Sequence, residues 1–142
     1  MPQLNDLICF AVYTAEHAFN RVYKPLLREL GLTYPQYLVM IALWSEDDQT
    51  VGGLGKKLML ASSTLTPLLK RLEKQGHVAR RRDTADERQV RVRLTEQGLA
   101  LRERASSIPS CITEATGMSN ERLAKLIAEI TAVREHLLDT TK

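Results

Sequence analysis

The chain has 142 residues, 44% of them hydrophobic and 26% charged, with a formal net charge of +3 at pH 7. That length fits one domain with a real core, and no apolar run approaches the ~20 residues of a membrane span. Aromatic residues make up only 5%, which disfavours recognition of single strands by base stacking. Two cysteines, Cys9 and Cys111, are too few and too far apart for a secreted disulfide scaffold, and the opening MPQLNDLICF lacks the basic start and cleavage site of a signal peptide. The expectation is a reduced, cytoplasmic protein with no membrane association.

From Leu4 to Leu26 apolar residues recur at helical spacing (Leu4, Ile8, Ala11, Ala15, Phe19, Val22, Leu26), and Leu7, Val12, Ala18 and Tyr23 widen the stripe beyond one face. So wide a stripe suggests a helix buried against more than its own core, as in a dimer. Pro25 is expected to kink or interrupt it near its end, and Gly31 fits the position just past a helix C-terminus. Thr33-Tyr34-Pro35-Gln36 has the form of a capping box and opens a second helix to about Ser45, with Tyr37, Met40, Ile41 and Trp44 inward. Glu46 to Gln49 reads as a polar loop, followed by a short helix from about Val51 to Leu58. Ser62 or Ser63 could cap the next helix, which runs to about Gln75 and ends at Gly76. Its Leu65, Leu68, Leu69 and Leu72 face in, and Thr64, Thr66, Lys70, Arg71 and Lys74 face out.

After Gly76 the period changes. Val78 to Arg82 reads as one strand, and Val90, Val92 and Leu94 alternate with Arg91 and Arg93 in a second. Thr95 then caps a long helix from Glu96, disturbed by Pro109 near its middle and ended by Gly117. Ser119 caps a last helix whose Leu123, Leu126, Ile130, Val133 and Leu137 step by three and four, a coiled-coil-like seam suited to a partner subunit. The fold class is therefore mainly α with a small β-hairpin wing.

Between Lys56 and Arg93 lie eleven Lys and Arg but four acids, so this window carries +7 while the remainder of the +3 chain carries −4. Charge gathered on one segment is the footprint of a polyanion-binding surface. Short helix, tight turn, second helix and Arg-rich hairpin together have the form of a winged helix-turn-helix. In that arrangement the start of the second helix meets base edges and its flanking cations meet phosphates of double-stranded DNA. Ser62, Ser63, Thr64 and Thr66 are the hydrogen-bonding groups at that start; Lys70, Arg71 and Lys74 follow on the outer face, and Arg82 lies on the hairpin. Taken alone, the helix could equally be an ordinary one with a solvated basic face. His77, at the junction, has no second ligand at metal-binding spacing, so no metal site is expected, nor any cofactor.

At the hairpin the segment from Leu65 through Thr95 resembles the multiple-antibiotic-resistance regulator (MarR) family of winged-helix repressors, whose wing carries Asp-x-Arg, here Asp86-Glu87-Arg88. The resemblance implies that Arg88 enters the minor groove, where a narrow groove attracts Arg, and that Asp86 braces the wing with an internal ion pair. The segments Asp6 to Phe10, Tyr13, Tyr23 to Leu27, Leu32 to Tyr37, Ser63 to Arg71 and Ile108-Pro109 are similar to the organic-hydroperoxide-sensing branch, OhrR. What this implies is one MarR-type domain over 1–142, with dimerisation helices at about 4–30 and 96–139 and a winged helix-turn-helix at about 34–95. The protein would be a homodimeric repressor, not an enzyme, binding half-sites ~34 Å apart on a pseudo-palindromic operator.

The same resemblance makes Cys9 the thiol oxidised by an organic hydroperoxide, Tyr13, Tyr23 and Tyr34 the hydroxyls that stabilise its thiolate, partly across subunits, and Cys111 the partner in an intersubunit disulfide of the two-cysteine type. Cys9 sits near a helix start, where the dipole favours an anion, and Tyr13 shares its face four residues on. Read without the resemblance, Cys9 is more simply a small buried hydrophobe, and each tyrosine could be a core residue with a satisfied hydroxyl. An alternative function is a MarR-type repressor released by a small aromatic ligand, with structural cysteines. A thiol peroxidase is disfavoured, since no His or Arg lies close to Cys9 in sequence and the basic hairpin would go unexplained.

Overall fold

The computed structural model describes residues 1–142 and divides into two compact units, residues 1–106 and 107–142. The first contains a single 3-10 turn at Leu4–Asp6, α1 (Ile8–Arg28), α2 (Tyr34–Ser45), β1 (Gln49–Thr50), α3 (Val51–Leu58), α4 (Ser62–Lys74), β2 (Val78–Arg82), β3 (Val90–Leu94) and α5 (Glu96–Arg104). The second contains α6 (Ile108–Thr116) and α7 (Asn120–Thr140). The fold is mostly helical with a three-stranded antiparallel sheet ordered β1-β3-β2, a winged helix.

The core of the first unit forms around α2. That helix is apolar on nearly all sides and buries Tyr37, Val39, Met40 and Leu43. Leu54 of α3 and Leu65, Leu69 and Leu72 of α4 are also removed from solvent, each worth ~1.5–3 kcal/mol of burial. Val78 and Val92 add the inner face of the sheet. The pairing Arg80↔Val92 and Arg82↔Val90 sets one face, and Arg81↔Arg91 with Ala79↔Arg93 sets the other.

Local sequence accounts for most helix ends. The capping box is present: Thr33 N donates to Gln36 Oε1 at 2.9 Å, and Gln36 N donates to Thr33 Oγ1 at 3.3 Å. Thr50, Thr95 and Ser119 accept from the backbone of Gly53, Gly98 and Arg122 and so cap α3, α5 and α7. Gly31, Gly76 and Gly117 all adopt positive φ after helices, as expected. Gly98 also permits a close approach, because a Cβ there would collide with the His77 carbonyl.

Several expectations need correction. Neither Ser62 nor Ser63 is the N-cap of α4; Ala61 holds that position without a side-chain bond, which leaves both hydroxyls free at the helix start. Pro25 does not interrupt α1, which continues to Arg28, since proline removes only one backbone donor. The helix expected from Glu96 to Gly117 is two helices, because the backbone leaves the helix after Arg104 and restarts with Pro109 in the first turn of α6, where its missing N–H costs nothing. Ile41 is exposed rather than inward. The supposed loop at Gln49 contains β1: Gln49 is buried because its amide donates to Ala42 O at 3.0 Å and Glu46 O at 2.6 Å, satisfying carbonyls at the end of α2.

Two helices are poorly covered. Along α1 only Leu27 is buried, while Ile8, Val12, Tyr13 and Phe19 are exposed. On α7 no residue is buried, and Leu126, Ile130, Val133 and Leu137 of the seam are open to solvent.

Candidate nucleic-acid interface and thiol region

The interface is built on α3, the turn Met59–Ala61 and α4. Met59 takes a left-handed conformation (φ 57°, ψ 41°), and its backbone N–H bonds back to the end of α3. Gly55 makes the tight turn possible: a Cβ there would lie 2.8 Å from Leu60 O. The turn sends α4 off with its Leu65–Leu69–Leu72 stripe inward. Ser62, Ser63, Thr64, Lys70, Arg71 and Lys74 are exposed as expected, and Thr66 is half-buried.

Beside α4 the hairpin carries six arginines, and most of their charge is internally engaged. Arg80 pairs with Glu73 of α4 at 3.0 Å and donates its backbone N–H to the same carboxylate at 2.9 Å, tying the wing root to the helix. Arg91 bridges Asp48 Oδ1 at 2.8 Å and Asp83 Oδ2 at 3.1 Å, and Arg93 reaches Asp48 Oδ2 at 3.1 Å. Arg82 donates to Glu87 O at 2.9 Å, and neither Arg81 nor Arg82 has a carboxylate partner. Arg88 meets Asp86 at 3.1 Å, yet its side chain is 91% exposed at the wing tip.

The internal ion pair expected of Asp86 is therefore made with Arg88 itself. The longer-range braces are Glu73–Arg80, which ties α4 to β2, and Asp48–Arg91–Asp83, which ties the residue before β1 and the residue after β2 to β3. Charge counting missed Asp48 because it lies outside the basic window, and in sequence it shows only as one of the acids of the run Glu46-Asp47-Asp48. Hydrogen bonds from Arg93 and Arg91 hold the Asp48 carboxyl below the usual aspartate range. Asp83 is lowered by the Ala85 backbone and Arg91, and Asp86 by the Arg88 side chain.

A cavity of about 530 Å³ lies between the helix pair and the wing, lined in part by Thr50, Lys56, Ser62, Thr66, Arg80 and Arg88. Hydroxyls and cations from both candidate DNA-binding elements thus converge on one space.

In the thiol region, Cys9 is exposed at the second position of α1, and Tyr13, also exposed, stands one turn further along. The Tyr13 ring packs on His17 with centroids 4.3 Å apart. Tyr23 and Tyr34 meet, with ring centroids 4.8 Å apart, and Tyr37 lies 6.0 Å from Tyr23. Burial first, then the neighbouring Tyr34 and Tyr37, pushes the Tyr23 hydroxyl up to about 12; burial and Glu16 raise Tyr34. Both hydroxyls therefore stay protonated as donors at neutral pH. Tyr23 is fourteen residues beyond Cys9 on one continuous helix, about 21 Å along its axis, so the structure does not bring the two together within a chain. Tyr23 and Tyr34 instead line an open cavity of about 490 Å³ with Asn20, Lys24, Arg28 and the 31–33 linker. Cys111 is half-buried on α6 and is a free thiol, like Cys9.

The profile of the transcriptional regulator SarA/Rot family matches residues 21–104. The chain is 46% identical over 134 residues to the HTH-type transcriptional regulator TtmR of Methylorubrum extorquens (strain PA1), covering 94% of this chain and 69% of that one. It is 42% identical over 135 residues to the organic hydroperoxide resistance transcriptional regulator of Bacillus subtilis (strain 168), covering 95% and 92%. Among solved structures, reduced AbfR bound to DNA aligns at 35% identity and TM-score 0.81 over 95% of this chain and 94% of that one. The disulfide-formed AbfR aligns at 36% identity and TM-score 0.69 over 96% and 92%. With its winged helix, its matched profile and relatives of this identity along nearly its whole length, the chain belongs to the SarA/Rot-type transcriptional regulators of the MarR family.

Proposed function

We propose that the protein is a homodimeric, DNA-binding transcriptional repressor of the OhrR branch, switched by oxidation of Cys9. The observation that carries the reading is the exposed thiol in the first turn of α1, on a helix whose apolar Ile8, Val12 and Phe19 are left open to solvent. A second subunit along α1 would bury that side and would bring one chain's Tyr23 and Tyr34 toward the other's Cys9, which no single chain can do over about 21 Å. Donated tyrosine hydroxyls would stabilise the thiolate. The relatives support the same direction, one being an organic hydroperoxide resistance regulator and another known in reduced, DNA-bound and disulfide forms.

In the reduced dimer, α4 enters the major groove through Ser62, Ser63, Thr64 and Thr66, while Lys70, Arg71, Lys74 and Arg82 meet phosphates. Arg88 reaches the minor groove, exchanging its Asp86 partner for DNA. The Cys9 thiolate attacks the O–O bond of an organic hydroperoxide; with one proton taken up, the products are a sulfenic acid and an alcohol. The Cys111 thiol of the partner subunit then attacks the sulfenic sulfur, forming a disulfide and releasing water. The altered dimer spacing releases DNA.

A second reading, release by a small aromatic ligand, is favoured by the open cavity of about 490 Å³ beside Tyr23 and Tyr34. One experiment separates the two: operator binding by the intact protein and by Cys9→Ser, each with and without cumene hydroperoxide, with intact masses recorded. Oxidation of Cys9 accompanied by DNA release supports the switch. Release of unmodified protein by an aromatic acid, with no response to peroxide, would replace it by the second reading. Sedimentation at low micromolar concentration tests the dimer, and a folded monomer there would refute it.

A further inference from the structure

We propose that Gln75 is a positioning residue that ties the C-terminal end of α4 to the linker between α1 and α2, so that displacement of that linker is passed to α4. The proposal rests on the thiol-switch reading for what moves the linker, but the tie itself is a matter of geometry. Gln75 caps α4 and is followed by Gly76 at φ 88°, so it is the last residue whose position the helix fixes. Its side-chain amide is used at both ends. Nε2 donates to Gly31 O at 2.7 Å across forty-four residues, and Oε1 accepts from Gln36 Nε2 at 3.4 Å across thirty-nine.

Gln36 is the same residue whose Oε1 accepts from Thr33 N, so the capping box of α2 is joined to the network. The Gln75 carbonyl accepts from Gln97 Nε2 of α5 at 3.0 Å, which holds that end of α4 from a third side. Apart from these bonds, residues 29–33 are held by burial of the Leu30 and Leu32 side chains, by short-range bonds from Leu30, Gly31 and Leu32 to the end of α1, and by Arg104 Nη2 on Glu29 O at 2.8 Å.

The linker also walls the cavity beside Tyr23 and Tyr34: Gly31, Leu32, Thr33 and Tyr34 all line it. A displacement of the Tyr34 backbone carries the linker that precedes it, and Gly31 O takes Gln75 with it. The chemistry requires an amide. Glutamate at this position could still accept from Gln36 but has no donor for Gly31 O, and alanine has neither. Gln75→Glu keeps an acceptor for the buried Gln36 amide, and in Gln75→Ala the exposed position of the lost side chain lets water reach Gln36 Nε2, so the fold should survive both.

The test uses the full-length parent, Gln75→Glu and Gln75→Ala, each reduced and after cumene hydroperoxide. It measures operator dissociation constants, the mass state of Cys9 and amide exchange over residues 69–77. All three proteins should oxidise at Cys9, and the reduced variants should bind the operator within about twofold of the parent. The ratio of oxidised to reduced dissociation constants should fall by about three- to thirtyfold in both variants. Their α4-end amides should exchange faster than the parent's when reduced. Unchanged ratios in both variants would overturn the role of Gln75 while leaving the thiol switch intact. If instead the parent oxidises at Cys9 without releasing DNA, the switch reading fails, and reduced-state exchange decides the tie: faster exchange in both variants supports it, parent-like exchange refutes it.

Discussion

Asp48 and Arg91, forty-three residues apart in sequence, make a two-point contact: Arg91 Nε donates to Asp48 Oδ1 at 2.8 Å and Nη2 to the Asp48 carbonyl at 2.9 Å. The pair fixes the turn before β1 against β3, and Asp83 on the same guanidinium extends the brace to the start of the wing loop. The wing, whose tip carries Arg88, is thereby anchored at its base, well away from that tip.

The brace should make stability depend on acid pH. The Asp48 carboxyl is lowered by Arg93 and then Arg91, so its contribution is present above the ordinary aspartate pKa of about 3.9 and is lost as pH falls through the lower folded value. Asp48→Asn should lower the melting temperature at pH 7. The difference from the parent should shrink steadily below about pH 4. A constant difference from pH 7 to pH 2 in melting curves would argue against the ion pair as its source.

Arg88→Ala should weaken operator binding by roughly 1–3 kcal/mol if the side chain makes a base-directed contact. Lys74→Ala should weaken operator and random duplex alike and flatten the salt dependence by about one ion. Titrations of both duplexes at several salt concentrations check this; two variants that behave the same on both would contradict the division of roles.

Cys9→Ser should bind the operator but ignore organic hydroperoxide. Cys111→Ser should abolish a covalent dimer on a non-reducing gel, a bond that needs the two Cα atoms within about 7 Å. Peptide mapping that finds Cys9 and Cys111 joined within one chain would remove the intersubunit link. Full operator affinity in the covalent dimer would remove the proposed release step.

Gly98→Ala should destabilise the first unit by about 1–3 kcal/mol, because the new methyl group collides with the His77 backbone, which cannot swing aside as a side chain could. Trp44 Nε1 donates to Gly98 O at 2.9 Å, so tryptophan fluorescence should report the shift as well as the lower denaturation midpoint. A midpoint equal to the parent's would contradict a close approach of α5 to the His77 backbone.

By itself the sequence determined what depends on neighbours within a turn or a strand. The Thr33–Gln36 capping box, the leucine stripe of α4, the positive-φ glycines 31 and 76 and the limits of β2 and β3 are all local, set by spacing and backbone sterics. It also exposed the concentration of cations from Lys56 to Arg93, because charge needs no geometry to be counted. Only the tertiary structure decided which of those cations are free. Asp48 and Glu73 neutralise Arg91, Arg93 and Arg80 from elements that periodicity cannot connect to the wing. It likewise decided that Tyr23 meets Tyr34 rather than Cys9, since a continuous α1 keeps residues 9 and 23 apart, and that Gln75 meets Gly31. Hydrogen bonds and ion pairs between distant residues depend on how the helices pack, and packing is a property of the whole core that no window of sequence contains.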